Sequence, residues 1–226
     1  MLRSLNALVG YAIGARDGEM GEVRDFFFDD TSWTIRYLVV ETGGWLSRRR
    51  VLISPAALEE PDWENRRFPV SLTKEQVRHS PDVDTDKPVA RQQEILMNTY
   101  YGWPHYWSIE PIFSAPALPA PETPPEEPEP ALGDPHVRSF KEVSGYRAEA
   151  SDGEAGQVGD FLTEAGGWAI RSLVVDTGNW LSGKKVLIPV REIASVWWAG
   201  KEVRLRLGRE QVESSPAYDA ASVAAG

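Results

Sequence analysis

The sequence predicts an all-β protein: two small six-stranded β-barrels, each followed by a short C-terminal helical turn and joined by an acidic, proline-rich linker. The chain repeats itself, each copy of the repeat alternates strand-like runs with turn residues, and a proline-rich segment separates the copies. The predicted boundaries are a first barrel at 1–83, an aromatic-rich extension at 84–110, the linker at 111–135, a second barrel at 136–218 and a flexible tail at 219–226.

The repeat is the strongest signal in the chain. A shift of 135 residues aligns positions 10–81 with 145–216 without a gap, and 31 of the 72 aligned residues are identical. The longest shared block begins at Trp33 in the first copy and at Trp168 in the second, and runs through Trp-Leu-Ser in both. Such self-similarity indicates two copies of one structural module.

Within one copy the pattern is that of short strands and hairpins. Residues 23–28 and 34–40 are rich in aromatic and β-branched side chains, and turn-forming residues flank both runs. Shorter strands are expected at 51–53 and 67–72, followed by a helical turn that begins at Thr73. A module of this size cannot make an open two-layer sandwich, and closing its sheet into a barrel removes the exposed edges.

The segment between the copies has a different composition. Residues 111–135 hold nine of the 17 prolines and five acidic residues, with no lysine or arginine. Proline removes backbone donors and like charges keep a chain extended, so this stretch is predicted to be a semi-rigid linker. We therefore expect the two modules to fold and move independently of each other.

The composition limits the classes of function. The 226 residues carry a formal net charge of −10, which disfavours nucleic acid as a partner because the overall field repels phosphate. The absence of cysteine excludes disulfides and thiolate chemistry and fits a cytoplasmic location. The sequence also has no apolar run long enough to span a bilayer, and the weakly apolar start is better interpreted as a first strand than as a signal peptide.

No catalytic, cofactor or metal site is predicted. The carboxylates Asp17, Glu19, Asp25 and Glu41 recur at the equivalent positions of the second copy. In either copy, two of them could pair for acid–base catalysis or cation binding, or they could serve turns and ion pairs. Ser47 and its repeat Ser182 are not near a histidine in the sequence, and no phosphate-binding loop or zinc-ligand spacing occurs. An enzyme is therefore not expected.

Two stretches are candidate interaction sites. Arg48, Arg49 and Arg50 form the densest basic cluster, which could bind an acidic partner, a phosphate or a membrane surface, or could be a solvated loop. The second stretch has five aromatic residues in eight positions after the first barrel has ended, and it is either structural cover or an interface. Its aromatic residues are Tyr100, Tyr101, Trp103, Tyr106 and Trp107.

The shared motifs resemble those of the PRC-barrel family. The residues that carry the resemblance are Gly-Tyr, then Asp-Gly-Glu-x-Gly-x-Val-x-Asp-Phe, Trp-x-Ile-Arg-x-Leu-Val-Val, Trp-Leu-Ser and Val-Leu-Ile, in both copies. The family takes its name from the cytoplasmic domain of the photosynthetic reaction-centre H subunit, and a related barrel ends the ribosome maturation factor. The chain as a whole is similar to bacterial tandem PRC-barrel proteins. It lacks the membrane helix that begins the H subunit.

What the resemblance implies is a domain for protein contacts, without catalytic residues to carry over. We expect a non-enzymatic adaptor that presents two barrels to a protein partner or to a second copy of the chain. The alternative is an RNA- or ribosome-associated assembly factor, by analogy with the ribosome maturation factor.

Overall fold

The computed structural model describes residues 2–81, 89, 91–105, 137–164, 166–178, 183–220 and 223. The predicted linker at 111–135 lies outside these residues. The described chain is mostly β and contains two sheets, one for each copy of the repeat. The expectation of an all-β protein with two related halves therefore holds at the level of its sheets.

The first copy contains six strands and two short helices. Its own elements are β1 (Leu2–Ser4), α1 (Leu5–Leu8), β2 (Ala12–Ala15), β3 (Gly18–Asp29), β4 (Thr34–Thr42), β5 (Arg50–Ile53), β6 (Arg67–Pro69) and α2 (Lys74–Arg78). A longer helix, α3 (Arg91–Tyr101), follows it.

The second copy repeats this order, with one additional strand. Its elements are β7 (Val137–Ser139), α4 (Phe140–Val143), β8 (Arg147–Ala150), β9 (Gly153–Glu164), β10 (Ile170–Asp176), β11 (Lys185–Pro189), β12 (Ile193–Trp197), β13 (Glu202–Leu205) and α5 (Arg209–Glu213). Short 3₁₀ turns occupy Gly44–Leu46, Pro55–Ala57 and Val190–Glu192.

The sheets have equivalent strand orders. The first runs β5-β4-β3-β2-β6 and the second β11-β10-β9-β8-β13-β12. In both sheets the strand after the first helix pairs in parallel with a late strand, β2 with β6 and β8 with β13. Among the described residues, backbone pairing does not join the first and last strands of either sheet into a closed ring.

The hairpin turns follow the sequence prediction and also fix the helical turns. Gly18 and Gly153 have positive φ in the turns between β2 and β3 and between β8 and β9. The carboxylate before each glycine accepts a backbone N–H from the start of the following helix: Asp17 from Lys74 at 2.9 Å, and Asp152 from Arg209 at 2.8 Å. These aspartates therefore serve turns and helix starts.

The copies exchange their first strands. β1 pairs antiparallel with β9 of the second copy, and β7 pairs antiparallel with β3 of the first. Each sheet is thus completed by three residues of the other copy. The expectation of two independent modules is wrong, because the strand that begins each copy pairs in the sheet of the other copy. Continuity of the sequence alone would place each of these strands in its own barrel.

A pair of equivalent hydrogen-bond clusters fixes the exchanged strands. The Ser139 hydroxyl donates to Asp25 Oδ2 at 2.5 Å, and the Lys141 N–H donates to Asp25 Oδ1 at 3.0 Å. At the equivalent place Asp160 accepts the Ser4 hydroxyl and, at 3.1 Å, the Asn6 N–H. Each serine also caps the short helix that follows its strand.

The turns after β3 and β9 join the copies a second time. The Ile35 N–H donates to the Trp168 carbonyl at 2.9 Å, and the Ile170 N–H donates to the Trp33 carbonyl at 2.7 Å. Both tryptophans have positive φ, 52° and 56°, which is unusual for a bulky side chain. The reciprocal hydrogen bonds account for this conformation.

One hydrophobic core runs through both copies. The Phe28 and Phe161 rings, from different copies, lie 5.1 Å apart, and Phe140 of the second copy lies 6.3 Å from Phe26 of the first. A buried ion pair, Arg138 Nε to Asp30 Oδ2 at 2.8 Å, also joins the copies. Removing one member of a buried pair typically costs about 3–5 kcal/mol.

We predict that the two halves stay together when the chain is cut. A protease site inserted within 111–135 and fully cleaved should leave a complex that elutes at the size of the intact chain, because strands and core are shared. Size-exclusion chromatography with light scattering measures this, and urea unfolding of the cut protein should show one transition. Separate folded halves at micromolar concentration would contradict the exchange.

The two carboxylates that bind the exchanged strands, half-buried Asp25 and buried Asp160, predict a specific pH dependence. Burial raises the pKa of both Asp25 and Asp160, against the hydrogen bonds that lower it. The folded state therefore takes up these protons at a higher pH than the unfolded state, and the two groups add stability as the pH falls toward the unfolded carboxyl value of about 4.

We therefore expect the unfolding free energy of the wild type, minus that of Asp25→Asn/Asp160→Asn, to increase as pH falls from 7 to 4.5. Urea unfolding at both pH values measures it, and the difference removes the effect of all other carboxylates. A difference that stays constant or shrinks would show that burial does not dominate these pKa values.

Candidate functional site

The basic cluster divides into one structural and two surface arginines. The Arg49 guanidinium donates to the backbone carbonyls of Ser80 at 2.8 Å, Pro81 at 3.0 Å and Arg78 at 3.3 Å. These carbonyls lie at the end of α2 and just beyond it, where helix carbonyls lack helical partners. Arg49 is thus used to hold α2 against the β4–β5 loop.

Arg48 and Arg50 are exposed, and Arg48 faces carboxylates. It lines a cleft of about 480 Å³ together with Glu19, Glu22 and Glu41. Arg24 lies in the same cleft and bonds Glu41 at 2.7 Å and Glu22 at 2.8 Å. The hydrogen bond from Arg24 lowers the pKa of Glu41. The mixed charges of this cleft do not make a dedicated site for an anion.

The second copy has an equivalent cleft of about 530 Å³. It is lined by Arg147, Glu154, Gln157 and Asp176, which correspond to positions of the first cleft under the repeat. Of the carboxylates that recur in the sequence, Glu19 and Glu41 therefore share one cleft, as do Glu154 and Asp176, whereas Asp17 and Asp25 lie elsewhere. The described residues nevertheless contain no group of three or more His, Cys, Asp or Glu side chains placed to hold a metal ion.

The described part of the aromatic-rich extension, residues 89 and 91–105, lies on the outer face of the first sheet. Helix α3 buries Met97 against a cluster that includes Tyr37 and Leu52. The Tyr37 hydroxyl lies within hydrogen-bond distance of Glu94 Oε1 (3.3 Å) and Asn98 Oδ1 (3.2 Å), and both of these side chains are buried. This inner side of α3 is structural cover.

The predicted aromatic residues at the end of α3 and just beyond it continue this cover. The Tyr101 ring stacks on the Trp103 ring at 4.3 Å, and burial raises the pKa of Tyr101 to about 12. The Tyr100 hydroxyl donates to the Gln76 carbonyl at 2.7 Å, but 41% of this residue remains exposed. Tyr106 and Trp107 lie outside the described residues.

Four large apolar side chains are prominently exposed in the described part of the chain: Leu96 (60%), Trp197 (45%), Tyr100 (41%) and Trp198 (41%). Leu96 and Tyr100 are four residues apart on α3, so they lie on one side of that helix. Trp197 and Trp198 lie at the end of β12 and in the turn that follows it. These residues form two exposed apolar groups, one on each copy.

The tryptophan pair is held in place although it is exposed. The Arg204 guanidinium lies 4.7 Å from the centre of the Trp197 ring. A Cβ at Gly200 would come within 2.2 Å of that ring, so only glycine allows this position. The Trp198 indole N–H donates to Glu142 Oε1 at 2.9 Å. An ordered exposed aromatic needs little further ordering to bind a partner.

Sequence reasoning did not select Trp197, Trp198 or Leu96 as sites. The adjacent tryptophans are visible in the sequence, and a comparison with the first copy draws attention to Trp197, because Asp62 stands at the equivalent position.

None of the described helices is both long and apolar enough to cross a membrane.

We predict unequal effects for the three arginines. Arg49→Ser should cost about 1–3 kcal/mol of unfolding free energy because it leaves carbonyls at the end of α2 without their charged donor. Arg48→Ser and Arg50→Ser should each change it by less than about 0.5 kcal/mol. Urea unfolding measures all three. This replaces the expectation that the whole cluster is a solvated loop.

Lys184 is a matched control, since it occupies the position of Arg49 in the second copy and makes one long contact, to the Glu213 carbonyl at 3.4 Å. Lys184→Ser should have a small effect. Equal losses for Arg49→Ser and Lys184→Ser would show that the three carbonyl contacts do not matter.

The geometry is that of a duplicated β-module with structural polar clusters and exposed aromatic groups. No curated protein matches the chain. A family model, however, matches a segment that runs from Arg3 in β1 to Val77 in α2 and so covers most of the first copy of the repeat. These residues, 3–77, match the model of the PRC-barrel domain.

Proposed function

We propose that this chain is a non-enzymatic protein-interaction adaptor, with each copy of the repeat a PRC-type barrel. The exchanged strands make the two barrels one unit, so partners bound to the two copies would be held in a defined relation. The second copy is assigned to the same family because it aligns with the matched segment without a gap and shares its motifs. The absence of cysteine supports a cytoplasmic location.

The observation that carries the proposal is the pair of ordered, exposed apolar groups: Leu96 with Tyr100, and Trp197 with Trp198. Tryptophan and tyrosine are enriched among the residues that dominate binding energy at protein interfaces. The polar clusters, by contrast, hold the structure together. Asp25 and Asp160 bind the exchanged strands, and Asp17 and Asp152 bind helix starts.

The RNA- or ribosome-associated alternative has less support. Its main candidate for a phosphate contact was the arginine cluster, and Arg49 already donates to three carbonyls. Arg48 faces Glu41 and its neighbours across the first cleft. With a formal charge of −10, the chain should not be retained on heparin at low salt. Salt-sensitive retention would favour the alternative.

We predict that the two apolar groups carry separable binding. Proteins crosslinked to the chain in its native cell should be quantified by mass spectrometry for the wild type, Leu96→Ser/Tyr100→Ser and Trp197→Ser/Trp198→Ser. Each double variant should lose its own set of partners by about 30-fold or more, which corresponds to the ~2 kcal/mol typical of a dominant interface residue.

The matched control is Glu59→Ser/Glu60→Ser, which changes two residues at the repeat positions of Ala194 and Ser195 without touching either apolar group. It should retain all partners. The adaptor proposal fails if both aromatic variants, shown by circular dichroism to be folded, recover the same proteins as the wild type.

A further inference from the structure

Strand β12 is an edge strand with a free side. It pairs with β13, and it ends the strand order of the second sheet. No other described strand pairs with it. The unpaired N–H and C=O groups of such an edge form a template for another extended chain, and proteins usually block long neutral edges with charge or proline.

The first copy blocks its equivalent edge. Residues 58–62 align with β12 and read Leu-Glu-Glu-Pro-Asp, whereas 193–197 read Ile-Ala-Ser-Val-Trp. In the first copy only two isolated bridges remain, Leu58 with Val70 and Asp62 with Arg67. Two glutamates, a proline and an aspartate prevent pairing there by repulsion and by a missing donor. Residues 193–197 carry neither charge nor proline, and the only irregularity of β12 is a register shift against β13 between Ile193 and Ser195.

The free edge also carries apolar side chains. Ala194 and Ser195 are exposed, and the exposed tryptophans Trp197 and Trp198 follow at the same end. An uncharged five-residue strand with an adjacent pair of exposed tryptophans combines backbone and side-chain surface for strand addition.

We propose that β12 pairs antiparallel with β12 of a second copy of this chain, which continues one sheet across a two-fold axis. This names one partner for the tryptophan group of the proposed adaptor. In such a pair each residue faces a residue of the same neutral strand, so no like charges are opposed. With Ser195 on the two-fold axis, Trp197 of each molecule lies opposite Ile193 of the other.

The residues that flank the strand are compatible with this orientation. Glu192 precedes β12, and Lys201 lies in the turn that follows it. An antiparallel pair brings the start of one strand near the end of the other, so Glu192 of each molecule approaches Lys201 of the other. Because Arg191 pairs with Glu192 at 3.3 Å, the start of the strand is close to neutral, and a parallel pair would oppose like charges only at Lys201.

The contact is small. Five residues of edge and two partly exposed tryptophans per molecule give less than the ~1,200 Å² of total buried surface at the low end of stable interfaces. The dimer should therefore dissociate at concentrations on the order of micromolar, and it should be detectable by raising the protein concentration.

The test uses the full chain and a charge exchange at the edge. Sedimentation equilibrium from micromolar to several hundred micromolar should show a wild-type monomer–dimer equilibrium. Ala194→Glu/Ser195→Glu gives β12 the glutamates of the first copy and should remain monomeric, as should Ala194→Lys/Ser195→Lys. A 1:1 mixture of the two variants should form a dimer, because opposite charges then face each other across the axis.

The mixture keeps the test independent of folding defects, since only folded edges can restore the dimer. A matched control, Glu59→Ala/Glu60→Ser, should associate like the wild type, because Pro61 and Asp62 still block the first edge. The inference is overturned if the wild type stays monomeric, if the glutamate variant associates like the wild type, or if the mixture fails to associate.

Oligomeric state and partner recovery are measured separately, so failure of the dimer does not count as failure of the adaptor proposal. A wild-type monomer whose β12 amides are protected from hydrogen exchange would show that a different segment covers the edge, and this too overturns the inference.

Discussion

The structure depends on the reciprocal exchange of two three-residue strands. β1 completes the sheet of the second copy and β7 completes that of the first, and a serine at the end of each donates to a buried aspartate. Because the strands cross in both directions, neither sheet is complete without the other copy. The shared aromatic core around Phe28 and Phe161 follows from this arrangement.

The two aspartates show how the cost of burial is offset. Each accepts a serine hydroxyl, the N–H of a residue in the short helix after the exchanged strand, and the N–H of its own following residue. A buried carboxylate without such donors would cost several kcal/mol. Their pKa values remain raised, so burial still outweighs the donors. The serine and helix donors come from the other copy, so these hydrogen bonds fix the register of the exchange.

Much of the fold within one copy could be predicted from the sequence. The strands at 18–29 and 34–42 and the helix after Thr73 agree with the alternation, turn and capping patterns. The repeated glycines 21 and 156 also have a physical reason, since a Cβ there would lie 2.1–2.2 Å from a carbonyl of the neighbouring strand.

The exchange could not be predicted in the same way. A three-residue strand has the same local pattern whichever sheet it joins, and Arg3-Ser4 repeats as Arg138-Ser139 in either case. The candidate site was predictable only in part for a related reason. Arginines look alike in a sequence, and only the position of the α2 carbonyls distinguishes Arg49 from Arg48 and Arg50.

Duplication separates what must stay the same from what can change. Both copies keep the serine and the aspartate that fix the exchanged strands. The serine of each copy bonds the aspartate of the other, Ser4 with Asp160 and Ser139 with Asp25, so each copy needs both residues. The outer surfaces differ: α3 covers the first sheet, whereas Tyr218 and Val223 pack on the equivalent face of the second.

The unequal edges have a consequence for assembly. If both copies had an open edge, each molecule could pair at two places, and such contacts would extend into a filament. With Glu59, Glu60 and Pro61 on one edge and a neutral strand on the other, only one of these two equivalent edges is open to self-pairing. Association through one self-complementary edge closes at two copies. The charges and proline of the first copy thus limit what the open edge of the second can build.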